Sequence, residues 1–189
     1  MRGYFGIGAE GISKSMNVGS LLRTSHAFGA SFFCTIGASV DVREMGASDT
    51  SGAFGHIPFY EFKNAADLLL PANTALVAVE LVEGAVDLPS FRHPLRAVYV
   101  LGPEKGSVSD AMLKRCDHVI KIPMKFCVNV GVAGAIVMYD RLISLGKFAD
   151  RPVKAGGPFI PEHLRKDQIV SAPNDRPFIS RSKKKQEKT

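Results

Sequence analysis

Arg96-Ala-Val-Tyr-Val-Leu-Gly-Pro-Glu-Lys-Gly106 is the stretch on which the fold turns. Its first six residues form an apolar run of strand length, rich in β-branched and aromatic side chains. The run breaks at a Gly-Pro turn, and residues 108–115 then read as a helix, with Ser107 or Ser109 placed to cap it. A Gly/Pro-rich turn at the carboxyl end of a strand is where open α/β sheets bind their ligands, although such turns also serve as plain connections. Glu104 within it either orients a ligand or another loop, or sits near the positive end of the following helix dipole.

The same reading extends in both directions. Residues 4–7, 31–36, 74–81 and 118–122 are further short runs of strand type. Helices are expected over 18–28, where Leu21, Leu22, Ser25 and Phe28 share a face, and over 63–70 and 130–145. This alternation predicts an α/β fold with a mainly parallel sheet and helices on both of its faces. The helix over 130–145 opens on glycines and alanines, which permits close approach of backbone or ligand.

Beyond Lys147 the pattern fails. Pro152, Gly156, Gly157, Pro158, Pro161, Pro173 and Pro177 leave room for no more than a short helix over 162–168. The expected organisation is one domain over 1–150 and an irregular extension over 151–189, ending in disorder from about Arg181. The extension is basic: it holds 10 of the 24 Lys and Arg but 4 of the 18 Asp and Glu, so the entire net charge of +6 lies there. A basic arm on a neutral body suits a polyanion, and equally serves as a solubilising end.

Several classes are disfavoured. The most apolar stretch, 128–139, contains Asn129 and is too short to span a bilayer, and residues 1–11 lack the design of a signal peptide, so a cytoplasmic protein without a membrane anchor is expected. Cys34, Cys116 and Cys127 show no C-x-x-C spacing. His26, His56, His93, His118 and His163 show no i, i+4 or H-x-E pattern, and metal chemistry is not expected.

Three further segments bear on chemistry. Gly6, Gly8 and Gly11 in GIGAEG match the dinucleotide-binding spacing, but residues 12–15 read as loop and no acidic residue closes the run over 31–36. Asn17-Val-Gly-Ser-Leu-Leu-Arg23-Thr24 sets a polar residue at a helix start and an arginine nearly two turns on. Asn17 as a cap, Gly19 as a packing site and Arg23 as a surface charge describe it equally. Ile122-Pro-Met-Lys-Phe-Cys-Val-Asn129-Val-Gly-Val-Ala133 places an amide in an apolar run, where both of its halves need partners unless it only caps the next helix.

Together and in order, N-x-G-x-x-x-R-T at 17–24, G-x-E-x-G at 102–106 and I-P-M followed by N-V-x-V-A at 122–133 resemble the three signature motifs of the TrmH (SpoU) family of SPOUT methyltransferases. The resemblance covers about residues 6–145. It implies a sheet whose C-terminal part is tied in a trefoil knot, a homodimer with sites completed across the interface, and transfer of a methyl group from S-adenosylmethionine to a ribose 2′-hydroxyl of RNA, tRNA ahead of ribosomal RNA. It further implies a catalytic set of Asn17, Arg23, Glu104 and Asn129. The matching cofactor positions are Leu101, Gly102, Gly106, Ile122, Met124, Val128, Val130 and Ala133, with no metal. The resemblance departs at S-L-N-V-S, where this chain has Cys127-Val128-Asn129-Val130-Gly131 after a short loop, so both hydroxyls are missing. A second reading is a knotted RNA-binding or assembly protein with weakened catalysis, and a third is a nicotinamide oxidoreductase using GIGAEG.

Overall fold

The computed structural model describes residues 3–40, 55–148, 151 and 155. The expected helix over 162–168 and the expected disorder at the chain's end lie outside the described residues. The chain divides into two compact units, Met1–Lys147 and Phe148–Thr189, and all the elements below belong to the first.

Seven strands, β1 (Tyr4–Glu10), β2 (Phe32–Ile36), β3 (Phe59–Phe62), β4 (Ala75–Val79), β5 (Val86–Asp87), β6 (Arg96–Leu101) and β7 (His118–Lys121), form one sheet in the order β3-β2-β1-β6-β4-β7-β5. All its pairings are parallel. Ala9 and Val79 both lie opposite Leu101, so the carboxyl ends of β1, β6 and β4 finish level. Side chains alternate between the faces with the period of a strand. Ile7, Ala9, Val77, Tyr99 and Leu101 are buried on one face against Val18, Leu21 and Leu22 of α1 (Ser15–Ala27) and Val137 and Met138 of α3 (Val130–Leu145). Cys34, Leu76, Ala78, Val98 and Val100 are buried on the other with Leu68 and with Met112 of α2 (Asp110–Leu113). The expected α/β fold is observed, with a sheet covered on both faces as its apolar strands require.

Local departures have local causes. β3 and β5 went unread because they are edge strands: Val86 and Asp87 are both exposed, and β3 buries none of its four residues fully. The helix expected over 63–70 is only a 3-10 turn, Ala65–Asp67. The Asn64 side chain accepts from the Ala66 and Asp67 N–H groups, the Ala65 carbonyl closes the turn by accepting from the Leu68 N–H, and the Arg115 guanidinium takes the carbonyls of Ala65 and Leu68 in place of a further helical turn. Ser109, rather than Ser107, caps α2, accepting from the Met112 N–H at 3.1 Å.

The GIGAEG spacing belongs to a strand. β1 runs through Glu10, and a Cβ at Gly6 would lie 2.4 Å from the Phe32 ring, so the glycine makes room for a neighbouring side chain rather than for a pyrophosphate. Only Gly11, at φ +61°, serves a turn.

A buried polar cluster fastens α3 to β6 and to the segment leading into it. The Arg141 guanidinium donates to the carbonyls of Pro94 (2.6 Å) and Leu95 (2.9 Å) and to the Tyr99 hydroxyl (3.1 Å). His93 joins Tyr99 (2.6 Å) to Asp140 (2.9 Å). No helix among the described residues is long and apolar enough to cross a membrane.

Candidate active site

β6, β4 and β7 are neighbours in the sheet, and the loops leaving their carboxyl ends enclose a cavity of about 400 Å³. Leu101, Gly102, Gly106, Ile122, Met124, Val128, Val130 and Ala133 all line it, as do Asn17, Glu104 and Asn129. Twelve residues were singled out from the sequence, and eleven meet here. Arg23 does not line this cavity; it is exposed on α1, six residues beyond Asn17.

The three polar residues form a continuous chain. Asn17 Nδ2 donates to Glu104 Oε1 at 2.8 Å, and Asn129 Nδ2 donates to Asn17 Oδ1 at 2.9 Å. Asn129 Oδ1 in turn caps α3, accepting from the Gly131 N–H at 2.8 Å. Asn129 is therefore both a cap and a site residue, and although exposed rather than buried it has both halves of its amide partnered. Asn17 is no cap: it lies within the first turn of α1, 6% exposed, with its side chain turned toward the cavity. Glu104 does the capping from 90 residues away, accepting from the backbone N–H groups of Ser13 and Lys14 and from the Ser13 hydroxyl, each at 3.1 Å. The helix consequently starts at Ser15, ahead of the Val18 expected from its apolar pattern. Burial acts to raise the Glu104 pKa, but the hydrogen bonds from Asn17, the backbone and Ser13 outweigh it and hold the carboxyl below its ordinary value.

Two carboxylates missed in the sequence fix the cavity wall. Glu80, just past β4, lines the cavity and accepts from the N–H groups of Leu81 (2.8 Å) and Val108 (2.7 Å). Glu10, at the end of β1, accepts from the Ser109 N–H (2.8 Å) and hydroxyl (2.7 Å). Residues 107–109 are thereby held from two strands at once. The signal was present, an acidic residue ending each apolar run, but its partners are distant in sequence. Gly102 sits beneath this wall, where a Cβ would come 2.9 Å from the Val108 nitrogen.

The departures at 127 and 131 acquire geometry. A Cβ at Gly131 would lie 2.8 Å from Ser20 Oγ, so α1 occupies the space a serine side chain would need there, and brings a hydroxyl of its own. Cys127 is exposed on the cavity wall, unlike buried Cys34, whose thiol burial pushes up to about 12. Among the described residues no group of three or more His, Cys, Asp or Glu could hold a metal ion.

The model of the SpoU rRNA Methylase family matches residues 5–139, which takes in every element of the site. The chain belongs to this family. It is 30% identical over 137 residues to a Staphylococcus aureus chain placed in the TrmH family of tRNA/rRNA methyltransferases; the match covers 69% of this chain and 55% of that one. The chain thus spans about half the length of the curated relatives it matches. An rRNA methyltransferase from Sinorhizobium meliloti, solved with AdoMet bound, superposes with a TM-score of 0.69 at 21% identity, covering 78% of this chain and 59% of that one. A chain from a structure on the 2-OH methylation of C/U34 on tRNA gives 0.64 at 20% identity, covering 76% of this chain and 91% of that one. The SpoU sheet is therefore the fold of this chain, and the cavity lies within the part that matches.

Proposed function

We propose that this SpoU-family chain is a cytoplasmic, homodimeric RNA methyltransferase that moves a methyl group from S-adenosylmethionine to a ribose 2′-hydroxyl, on tRNA ahead of ribosomal RNA. The observation that carries the reading is the single cavity in which the Glu104–Asn17–Asn129 chain stands beside the apolar wall of Leu101, Ile122, Met124 and Val128. The size fits a nucleoside ligand, and the mixture of apolar wall and exposed main chain suits an adenine, for which backbone groups give specificity. Gly102 and Gly106 shape the turn that bears that wall: a Cβ on the first would come 2.9 Å from the Val108 nitrogen, and the second has φ +112°. The relative solved with AdoMet and the tRNA 2-OH methylation structure support cofactor and substrate as properties of those proteins.

When bound, S-adenosylmethionine supplies an electrophilic methyl group. Asn17, locked between Glu104 and Asn129, orients the attacking hydroxyl. Arg23, whose guanidinium is a poor base, grips the neighbouring phosphate and stabilises developing alkoxide charge, while the proton leaves to phosphate or water. The homodimer supplies Arg23, which is not among the residues lining the cavity, to the cavity of a second copy. The exposed side of α3, with Val132 at 48% and Tyr139 at 52% exposure, supports that assembly, since exposed apolar side chains gain from being covered. On this reading β7 and α3 form the knotted end of the domain, and residues 1–150 are the catalytic part.

The test is transfer of labelled methyl from S-adenosylmethionine to total tRNA and total ribosomal RNA, followed by nuclease mapping. Label in a nuclease-resistant dinucleotide marks the ribose; label on a base or on protein overturns the reading. Absence of S-adenosylmethionine binding by calorimetry, with RNA binding retained, favours an assembly protein that has lost catalysis.

A further inference from the structure

Phe126 is the feature of this cavity that the chemistry above leaves unused. It lines the cavity yet is 77% exposed, whereas Met124 in the same loop is half-buried. A phenyl ring gains from burial, so one held at an open lip lacks its partner. The loop that carries it is short and fastened at both ends. The Met124 N–H donates to the Ile122 carbonyl at 2.8 Å, and Asn129 is tied to Asn17 and to the first turn of α3. The surroundings carry both signs: Lys14 and Lys121 line the same cavity as Glu80 and Glu104, Lys121 lies 4.0 Å from Asp87, and Lys125, the residue before the ring, is exposed.

An aromatic face on a cavity lined by two lysines, whose two carboxylates already accept from backbone N–H groups, matches the chemistry of a single-stranded nucleotide. Phosphates meet the cations and an unstacked base meets the ring. Asn17, Glu104 and Asn129, where the ribose is proposed to lie, line the same cavity as Phe126. Cys127 offers no strong hydrogen-bond donor next to it, so grip through a hydroxyl is replaced here by grip through a π-face.

We infer that Phe126 is the stacking platform for a nucleobase of the RNA substrate, and that it sets substrate affinity rather than cofactor affinity. This rests on the RNA reading above.

The chain contains no tryptophan, so Phe126→Trp creates a single fluorescent reporter at the lip. Quenching of that fluorescence by total tRNA, and its indifference to S-adenosylmethionine alone, are expected. Phe126→Ala and Phe126→Leu should each weaken RNA affinity about 5- to 150-fold, the range of one lost base stack, since leucine keeps apolar bulk without a π-face. Cofactor affinity by calorimetry should stay within about twofold, against the tenfold that one lost contact of 1.4 kcal/mol gives. Quenching by S-adenosylmethionine alone makes Phe126 a cofactor cover and overturns the inference. So does a blue-shifted emission before any ligand that depends on protein concentration, because a second copy then covers the ring. RNA binding by the unsubstituted chain without quenching in the variant overturns it as well. Quenching by RNA in a chain that transfers no methyl group sustains the stacking role and overturns the proposed activity instead.

Discussion

Asn17 engages other side chains through both halves of its amide, giving its N–H to Glu104 and taking one from Asn129. Removing it therefore strips two neighbours at once. Asn17→Ala should cost about 1–3 kcal/mol of stability, the range for stranding partly buried polar groups, measurable by urea unfolding. Methyl transfer should fall about 100-fold, as when one positioned donor is lost. Asn17→Asp is the sharper probe because it keeps the shape and sets a second carboxylate against Glu104. One of the two must then hold a proton, so this variant should recover stability as the pH falls toward the carboxylate range. The unsubstituted chain should do the reverse. Glu104 has a lowered pKa in the folded state, so its contribution is complete above the ordinary carboxylate range and is lost as the pH falls through the lowered value. Arg23 is a different kind of residue, exposed and off the cavity wall. Arg23→Lys keeps the charge but loses the planar fork. It should reduce turnover at least tenfold with unchanged calorimetric affinity for S-adenosylmethionine, and full activity in that variant would remove the bidentate phosphate role.

At the scale of elements, α3 is held by directional polar bonds as well as by its apolar face. The Arg141 guanidinium donates to the Tyr99 hydroxyl, which leaves that hydroxyl free to donate to His93 Nδ1; His93 Nε2–H then points at Asp140. This order requires neutral His93, and burial lowers its pKa against the raising pull of Asp140. A depressed histidine pKa stabilises the fold above the unfolded value of about 6.5, and that stability is lost as the pH drops below it. Protonation would also turn Nδ1 into a donor facing the hydroxyl. Losing that one bond costs about 1 kcal/mol, so the melting temperature should fall roughly 2–4 °C between pH 7.5 and 5.5. His93→Gln should start lower and show a flatter pH response. None of this cluster was legible in the sequence, where His93 was one of five scattered histidines. What was legible follows the same rule. β2 and β6 lie within a residue of their expected bounds because their apolar runs are continuous and buried, and β7 and α3 do so although charged residues interrupt or end theirs. β5 has no apolar run to read, and α1 owes its start to Glu104, a partner no local pattern could name. In the site, the motif residues were legible. Glu80, Glu10 and Phe126 were not, since their roles appear only once the strand ends are side by side.

For the whole molecule, the proposed assembly turns on Arg23, which is not among the residues lining the cavity. The Glu104–Asn17–Asn129 chain closes within one copy of the chain, so those parts need no partner. On the proposed assembly, the cation that holds the phosphate comes from the second copy. The exposed apolar positions of α3, Val132 and Tyr139, lie seven residues apart and hence on one side of the helix. A closed two-fold contact would bury that side and bring α1 of each copy near the other. Tyr139→Glu should therefore halve the mass seen by light scattering and abolish methyl transfer, while affinity for S-adenosylmethionine persists. A mixing experiment separates loss of assembly from loss of a shared site. Arg23→Ala and Asn129→Ala chains should each be inactive alone. Mixed and allowed to exchange, about half the dimers carry one of each, and one of the two sites in such a dimer has both residues intact, which restores about a quarter of the unsubstituted activity. If each site instead draws Arg23 and Asn129 from the same copy, every site in the mixed dimer lacks one of them. No activity then returns at any mixing ratio, and the claim that the second copy completes the site is overturned.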